Sequence, residues 1–158
     1  LRNEFKEITL LKSLMLLLCT FGLLAGADLT GTWKLDTAKS KYEVMPMPKE
    51  MTVTITANGK GYDYMAMGTA ATGDAIHTMY TYVTDGAEAK ITGAPYYDAL
   101  VIKHGMENKA EIEFKRGGKS VGEATRVLEK DGKMYTVSGE VTMPDGKKAS
   151  YKAIYAKQ

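Results

Sequence analysis

Few side chains in this 158-residue chain are equipped for chemistry. Its two histidines are His77 and His104, and a histidine beside a carboxylate can do general acid–base work. Neither is accompanied by a Ser or Cys in a nucleophile-type turn, and no Asp/Glu pair has a recognisable catalytic setting. No catalytic residues are therefore expected, and an enzyme using His77 or His104 is the lesser alternative. Two histidines without cysteine partners also lack the spacing of zinc sites. Met45-Pro46-Met47 and Met65-Ala66-Met67 are both Met-x-Met, and thioethers suit Cu(I). On a strand, residues i and i+2 share a face, so Met65 and Met67 are expected to fill an apolar lining. No metal and no cofactor is predicted.

The aromatic residues are the best functional clue. Tyr62/Tyr64 and Tyr80/Tyr82 are i, i+2 pairs, and Tyr151/Tyr155 make a similar row. Pointing inward, these six would line a cavity for a small apolar or amphipathic ligand. Pointing outward, they would be cross-strand ladders that stabilise a sheet. Met65 and Met67 occupy the face opposite Tyr62 and Tyr64, so both faces are partly apolar and the pattern leaves the orientation open.

The elements that must position these residues read almost entirely as strands. Lys49–Gly61 alternates Met51, Val53 and Ile55 against Thr52, Thr54 and Thr56, the period-two signature of a half-buried strand. The same signal returns in Tyr62–Met67, Ala75–Val83, Asp98–His104, Lys109–Arg116, Ser120–Lys130, Met134–Met143 and Ala149–Lys157. Asn58-Gly59, Asp85-Gly86, Gly117-Gly118, Asp131-Gly132 and Asp145-Gly146 supply hairpin turns. Pro46, Pro48 and Pro95 mark longer connections. About nine strands in a meander must curl or close to remove their exposed edges. The expected fold is all-β: an antiparallel up-and-down barrel of roughly eight to ten strands.

Ahead of this domain, Arg2, Lys6 and Lys12 precede the apolar run Leu14–Ala27, which ends in the small-x-small pattern Ala25-Gly26-Ala27. This is the layout of a signal peptide, too short to span a bilayer, which needs about 20 apolar residues. Cys19 is preceded by Leu16, Leu17 and Leu18, a poor fit to lipoprotein processing. The expected organisation is a signal-peptide helix at 1–27 and one domain at 28–158, periplasmic or secreted. Beyond residue 27 there is no cysteine, which excludes disulfides and thiolate sites there. The 21 basic and 19 acidic residues lose three and two to the leader, and the near-neutral remainder offers no case for nucleic acid. The lysines of the turns, among them Lys119, Lys130 and Lys147, alternate with acids and read as solvated surface.

The stretch Gly31–Asp36, "GTWKLD", resembles the opening strand of the lipocalins and fatty-acid-binding proteins. In those families the Trp closes one end of the barrel beneath an Arg from a late strand. The resemblance makes Trp33 and Arg126 a structural barrel-end pair. The chain is still more similar to small exported bacterial lipocalin-like proteins without an established activity. The blocks that carry this are "GTWKLDTAKSKY", "ITGAP" (Ile91–Pro95), "FKRGGKSVGEATRVLEKDGK" (Phe114–Lys133) and "MPDGKKASYKAIYAKQ". It departs from fatty-acid-binding proteins in two ways: the proline-rich segment after the first strand leaves no room for a helical lid, and the last strand has Tyr but no Arg. The expected role is non-catalytic binding of a small apolar or amphipathic molecule inside the barrel. The alternative is an envelope or secreted interaction protein with a filled interior.

Overall fold

The computed structural model describes residues 28–104 and 108–158; the expected signal peptide at 1–27 lies outside them. Among the described residues every regular element is a strand, and no helix is long and apolar enough to cross a membrane. The strands are β1 (Gly31–Leu35), β2 (Lys41–Glu43), β3 (Glu50–Ala57), β4 (Tyr62–Thr69), β5 (Ala75–Tyr82), β6 (Asp85–Lys90), β7 (Ala99–His104), β8 (Lys109–Arg116), β9 (Lys119–Leu128), β10 (Met134–Thr142) and β11 (Lys148–Lys157).

They form one antiparallel sheet in the order β5-β4-β3-β1-β11-β10-β9-β8-β7-β6. Chain neighbours are sheet neighbours, and the first strand pairs with the last. This is the expected up-and-down barrel, nearly closed. The remaining seam lies between β5 and β6, where a single bridge joins Met79 to Thr92. Asp85-Gly86, expected as a hairpin turn, instead opens β6, with Gly86 at φ 90° and a bulge between Asp85 and Glu88. That strand pairs with β7 and not with β5. Its sequence DGAEAK turns one buried side chain, Ala89, to the interior, so little apolar surface holds it against β5.

The motif "GTWKLDTAKSKY" makes two strands along the same neighbour. β1 pairs with residues 155–157 of β11 and β2 with residues 150–152. Between them the chain detours through Asp36–Ser40. Asp36 N–H donates to the Ile154 carbonyl at 2.8 Å. The buried Ser40 hydroxyl donates to the Asp36 carbonyl at 2.7 Å and accepts the Ile154 N–H at 2.9 Å. One serine thus replaces the ladder bonds lost at the detour, which is why a polar residue is buried here. Asp36 also accepts the Lys39 N–H and pairs with its ammonium.

Trp33 is fully buried. Its indole N–H donates to the Leu29 carbonyl at 2.9 Å, and Tyr135 meets it edge-on with ring centroids 4.8 Å apart. Leu35, Val53, Ile55, Leu128 and Tyr155 complete this core at the closed end. The cation above the ring is Lys157 at 5.1 Å, not the expected Arg126. Register decides this, because Lys157 is the direct cross-strand neighbour of Trp33. Arg126 lies on β9, with β10 and β11 between it and β1, and its guanidinium sits over Tyr82 at 5.6 Å.

Trp33→Ala should cost about 3–5 kcal/mol in guanidinium denaturation, the range for emptying a buried aromatic site. Lys157→Ala should cost under about 1 kcal/mol, since the cation lies at the rim. Ser40→Ala should cost about 1–3 kcal/mol, because it strips the buried Ile154 N–H of its acceptor.

Candidate ligand-binding cavity

Alternation sends Tyr62, Tyr64, Ala66 and Gly68 of β4 to one side, with Ile76, Thr78, Tyr80 and Tyr82 of β5 beside them. That side is the interior. Tyr62 is paired directly with Tyr82 and Tyr64 with Tyr80, their rings stacked at 5.4 Å and 4.4 Å. Tyr135 pairs with Tyr155 at 4.6 Å, and Tyr151 with Tyr42 at 5.7 Å. The tyrosines are therefore both cross-strand ladders and inner wall. Tyr42 and Tyr135 belong to this set without being expected from sequence. Each lacks an i±2 tyrosine on its own strand, and only the pairing with β11 brings them in. Met65 and Met67, expected to line the interior, point outward, because inner and outer faces must alternate on β4.

Small residues alternate with the tyrosines on the inner face of β9 to β11. Ala124, Ala149 and Ala153 are buried on β9 and β11. Gly122 of β9 and Gly139 of β10 each lie tight against the neighbouring strand. A Cβ on Gly139 would lie 2.5 Å from the Ala124 Cβ, and one on Gly122 would lie 2.2 Å from the Glu140 carbonyl oxygen. The interior holds a cavity of about 470 Å³. Tyr64, Tyr80, Tyr135, Tyr151 and Tyr155 line it, with Leu100, Ile112, Phe114 and Val137 between them. Tyr62 and Tyr82 lie deeper and line a second space of about 90 Å³ at the closed end.

The mouth is built from three connections: Met45–Pro48 before β3, Ala70–Thr72 before β5, and Gly93–Tyr97 before β7. The last is pinned by Arg116, which donates to the carbonyls of Tyr96 at 2.9 Å and Thr142 at 3.1 Å. Tyr97 reaches inward and stacks on Phe114 at 4.4 Å. Across the mouth, Val44 holds φ at 71°, a strained conformation for a β-branched residue.

Arg126 is the one charged side chain among the residues lining the main cavity, and it borders both spaces. It is 8% exposed. Among the described residues no carboxylate pairs with it, and its one hydrogen bond runs from Nη1 to the Tyr82 hydroxyl at 3.4 Å. No fully enclosed side-chain nitrogen or oxygen among the described residues lacks a partner, so the remaining guanidinium donors are not sealed off; Asp28 and Lys109 also line the smaller space. Burial pushes the phenols up. Tyr42 and Tyr97 rise to about 12, while Tyr64, Tyr80, Tyr135, Tyr151 and Tyr155 also rise through loss of solvent. Near neutral pH the wall is thus a set of uncharged hydroxyls around a single fixed cation.

His77 is exposed on the outer face of β5, away from the cavity. His104 ends β7, and its side chain lies outside the description. Among the described residues no three His, Cys, Asp or Glu side chains converge as a metal site.

An antiparallel barrel, nearly closed, with a tyrosine-lined interior, defines a lipocalin-like, fatty-acid-binding-protein-like fold. No protein-family model matches the chain, and no curated protein matches it. Among solved structures it is similar to the ileal bile acid-binding protein of zebrafish, solved as its complex with cholic acid. That likeness has a TM-score of 0.50 at 12% identity, covering 82% of this chain and 98% of the other.

The raised phenols make stability fall at high pH. The unfolded chain ionises its tyrosines near pH 10, while the folded cavity holds them neutral. Stability is therefore complete below about pH 10 and declines from there through the folded values near 12 of Tyr42 and Tyr97. Alkaline titration followed by tyrosinate absorbance should show these phenols ionising late and together with loss of the β-sheet circular dichroism signal. Independent ionisation of all ten tyrosines near pH 10 would contradict their burial.

Proposed function

We propose that this chain is an exported, non-catalytic binding protein that holds a small amphipathic molecule in its barrel, an anionic group of that molecule resting against Arg126. The observation that carries the reading is the buried Arg126 guanidinium, which lines an otherwise neutral cavity and, among the described residues, has no carboxylate partner. Burying a charge without a partner is costly, and a guanidinium offers a two-pronged donor set suited to carboxylate. The tyrosine hydroxyls add uncharged donors, and their rings, with Leu100, Ile112 and Phe114, supply an apolar wall. A cavity of about 470 Å³ falls within the usual range for small-molecule sites, about 300–1,000 Å³. The zebrafish protein of similar fold was solved with cholic acid, a small amphipathic acid, which is consistent with this reading. Export rests on the composition of residues 1–27 and on the resemblance to exported bacterial lipocalin-like chains. The filled barrel acting through its surface is the weaker reading, because the interior is open.

The test is displacement of a fluorescent amphipathic anion, anilinonaphthalene sulfonate, by decanoate and by its methyl ester. Decanoate should displace the probe about 10–100 times more effectively than the ester, the value of a charge-assisted hydrogen bond. Arg126→Gln should bring the two within about twofold while the folded signal is kept. No probe binding by the wild-type chain would overturn the cavity reading. Equal displacement by acid and ester would overturn the role of Arg126.

A further inference from the structure

The two strands that build the tyrosine wall carry a second cluster on their outer face. There β4 presents Met65 and Met67, and β5 presents His77 and Met79. Met67 lies directly across from His77, and Met65 directly across from Met79. The backbone N–H and C=O of Met79 both bond Thr92 on the far side of β5, each at 3.0 Å. Met65–Met79 is therefore a non-hydrogen-bonded pair of the β4–β5 ladder, and so, two residues along, is Met67–His77. In such pairs the Cα atoms are about 4.5 Å apart and the side chains stand closest. Residues two apart on one strand are separated by about 6.5 Å. Three thioethers and one imidazole thus rise from the corners of a rectangle of about 4.5 by 6.5 Å, close enough to converge over its centre.

Packing does not account for Met67, His77 or Met79. Met67 is 51% exposed and Met79 41% exposed. Nor does the apolar surface continue as a docking face would. Thr52 and Thr54 of β3 flank Met67 and Met65, and Thr92 flanks Met79. At one end the Thr81 hydroxyl donates to Asp63 at 2.6 Å. The soft donors form an island among hydroxyls.

We propose that Met65, Met67, His77 and Met79 form a surface site for Cu(I). Thioether sulfur is a soft ligand that selects Cu(I), and imidazole also suits copper. Thioethers need no deprotonation to bind. The site is independent of the cavity, since the sheet separates the two. The Met-x-Met spacing is visible in sequence, but its meaning depends on what lies across the ladder, and only the register brings His77 and Met79 opposite.

The experiment is anaerobic titration of the full chain, Cys19 alkylated, with Cu(I) against the chromophoric competitor bicinchoninate. One equivalent of Cu(I) should be withdrawn from the competitor. Met67→Leu and His77→Gln should each weaken binding by at least about tenfold, the loss caused even by removing outer partners of a metal ligand. Both positions are exposed, and circular dichroism will verify that each variant keeps its fold. A Met45→Leu/Met47→Leu variant should bind as the wild type does, and X-ray absorption should show sulfur and nitrogen neighbours together. Failure of the wild-type chain to retain Cu(I), unchanged binding in both site variants, or loss of binding in the Met45/Met47 variant would each overturn the proposal.

Discussion

The register between β4 and β5 is the constraint on which the rest of this molecule depends. Tyr64 faces Tyr80 and Tyr62 faces Tyr82, so a strand face that looks like a ladder is at the same time the inner wall of a barrel. A shift of one residue would exchange the slipped strand's inner side chains for its outer ones. A slip of β5 would turn His77 and Met79 inward and expose Tyr80 and Tyr82. Four phenol rings held in two stacked pairs oppose that shift, since each aromatic pair adds roughly 0.5–1.5 kcal/mol beyond its burial.

The barrel is packed at one end and open at the other. Rings on β4, β5, β10 and β11 line the open space, with Ala66 and Ala153 among them. A core packed to ordinary density would have filled that space, and empty volume of this kind costs stability. The closed end shows the contrast, with Trp33, Tyr135 and Leu128 packed against one another. Stability is concentrated at the Trp33 end and the open volume toward the mouth, with Arg126 between the main cavity and the smaller space beneath it.

Much of the architecture was legible from residues alone. The strand segments, the tight turns and the meander follow from period-two patterns and from glycines that tolerate positive φ. Two elements escaped. β2 is three residues long, too short for alternation to register, and it exists because β11 extends past β1. β6 was hidden by Asp85-Gly86, which has the chemistry of a hairpin turn but here forms a bulge at a strand's start. The cavity was harder to read. Tyr64, Tyr80, Tyr151 and Tyr155 were recognisable candidates from their spacing, whereas Tyr42 and Tyr135 had no such spacing to show.

By itself the sequence determined the fold class, the order of the strands and the residues able to alternate between two faces, because these depend on local periodicity and turn chemistry. It could not say which face was inside, because both faces of β4 are apolar enough to be buried. Closure of the sheet through β1 and β11 decided that, as it decided that Lys157 and not Arg126 covers Trp33. Closure also left Arg126 among neutral tyrosines, while the β4–β5 register set Met67 opposite His77. Cross-strand neighbours are distant in the chain, and only their pairing in three dimensions gives isolated residues a common site.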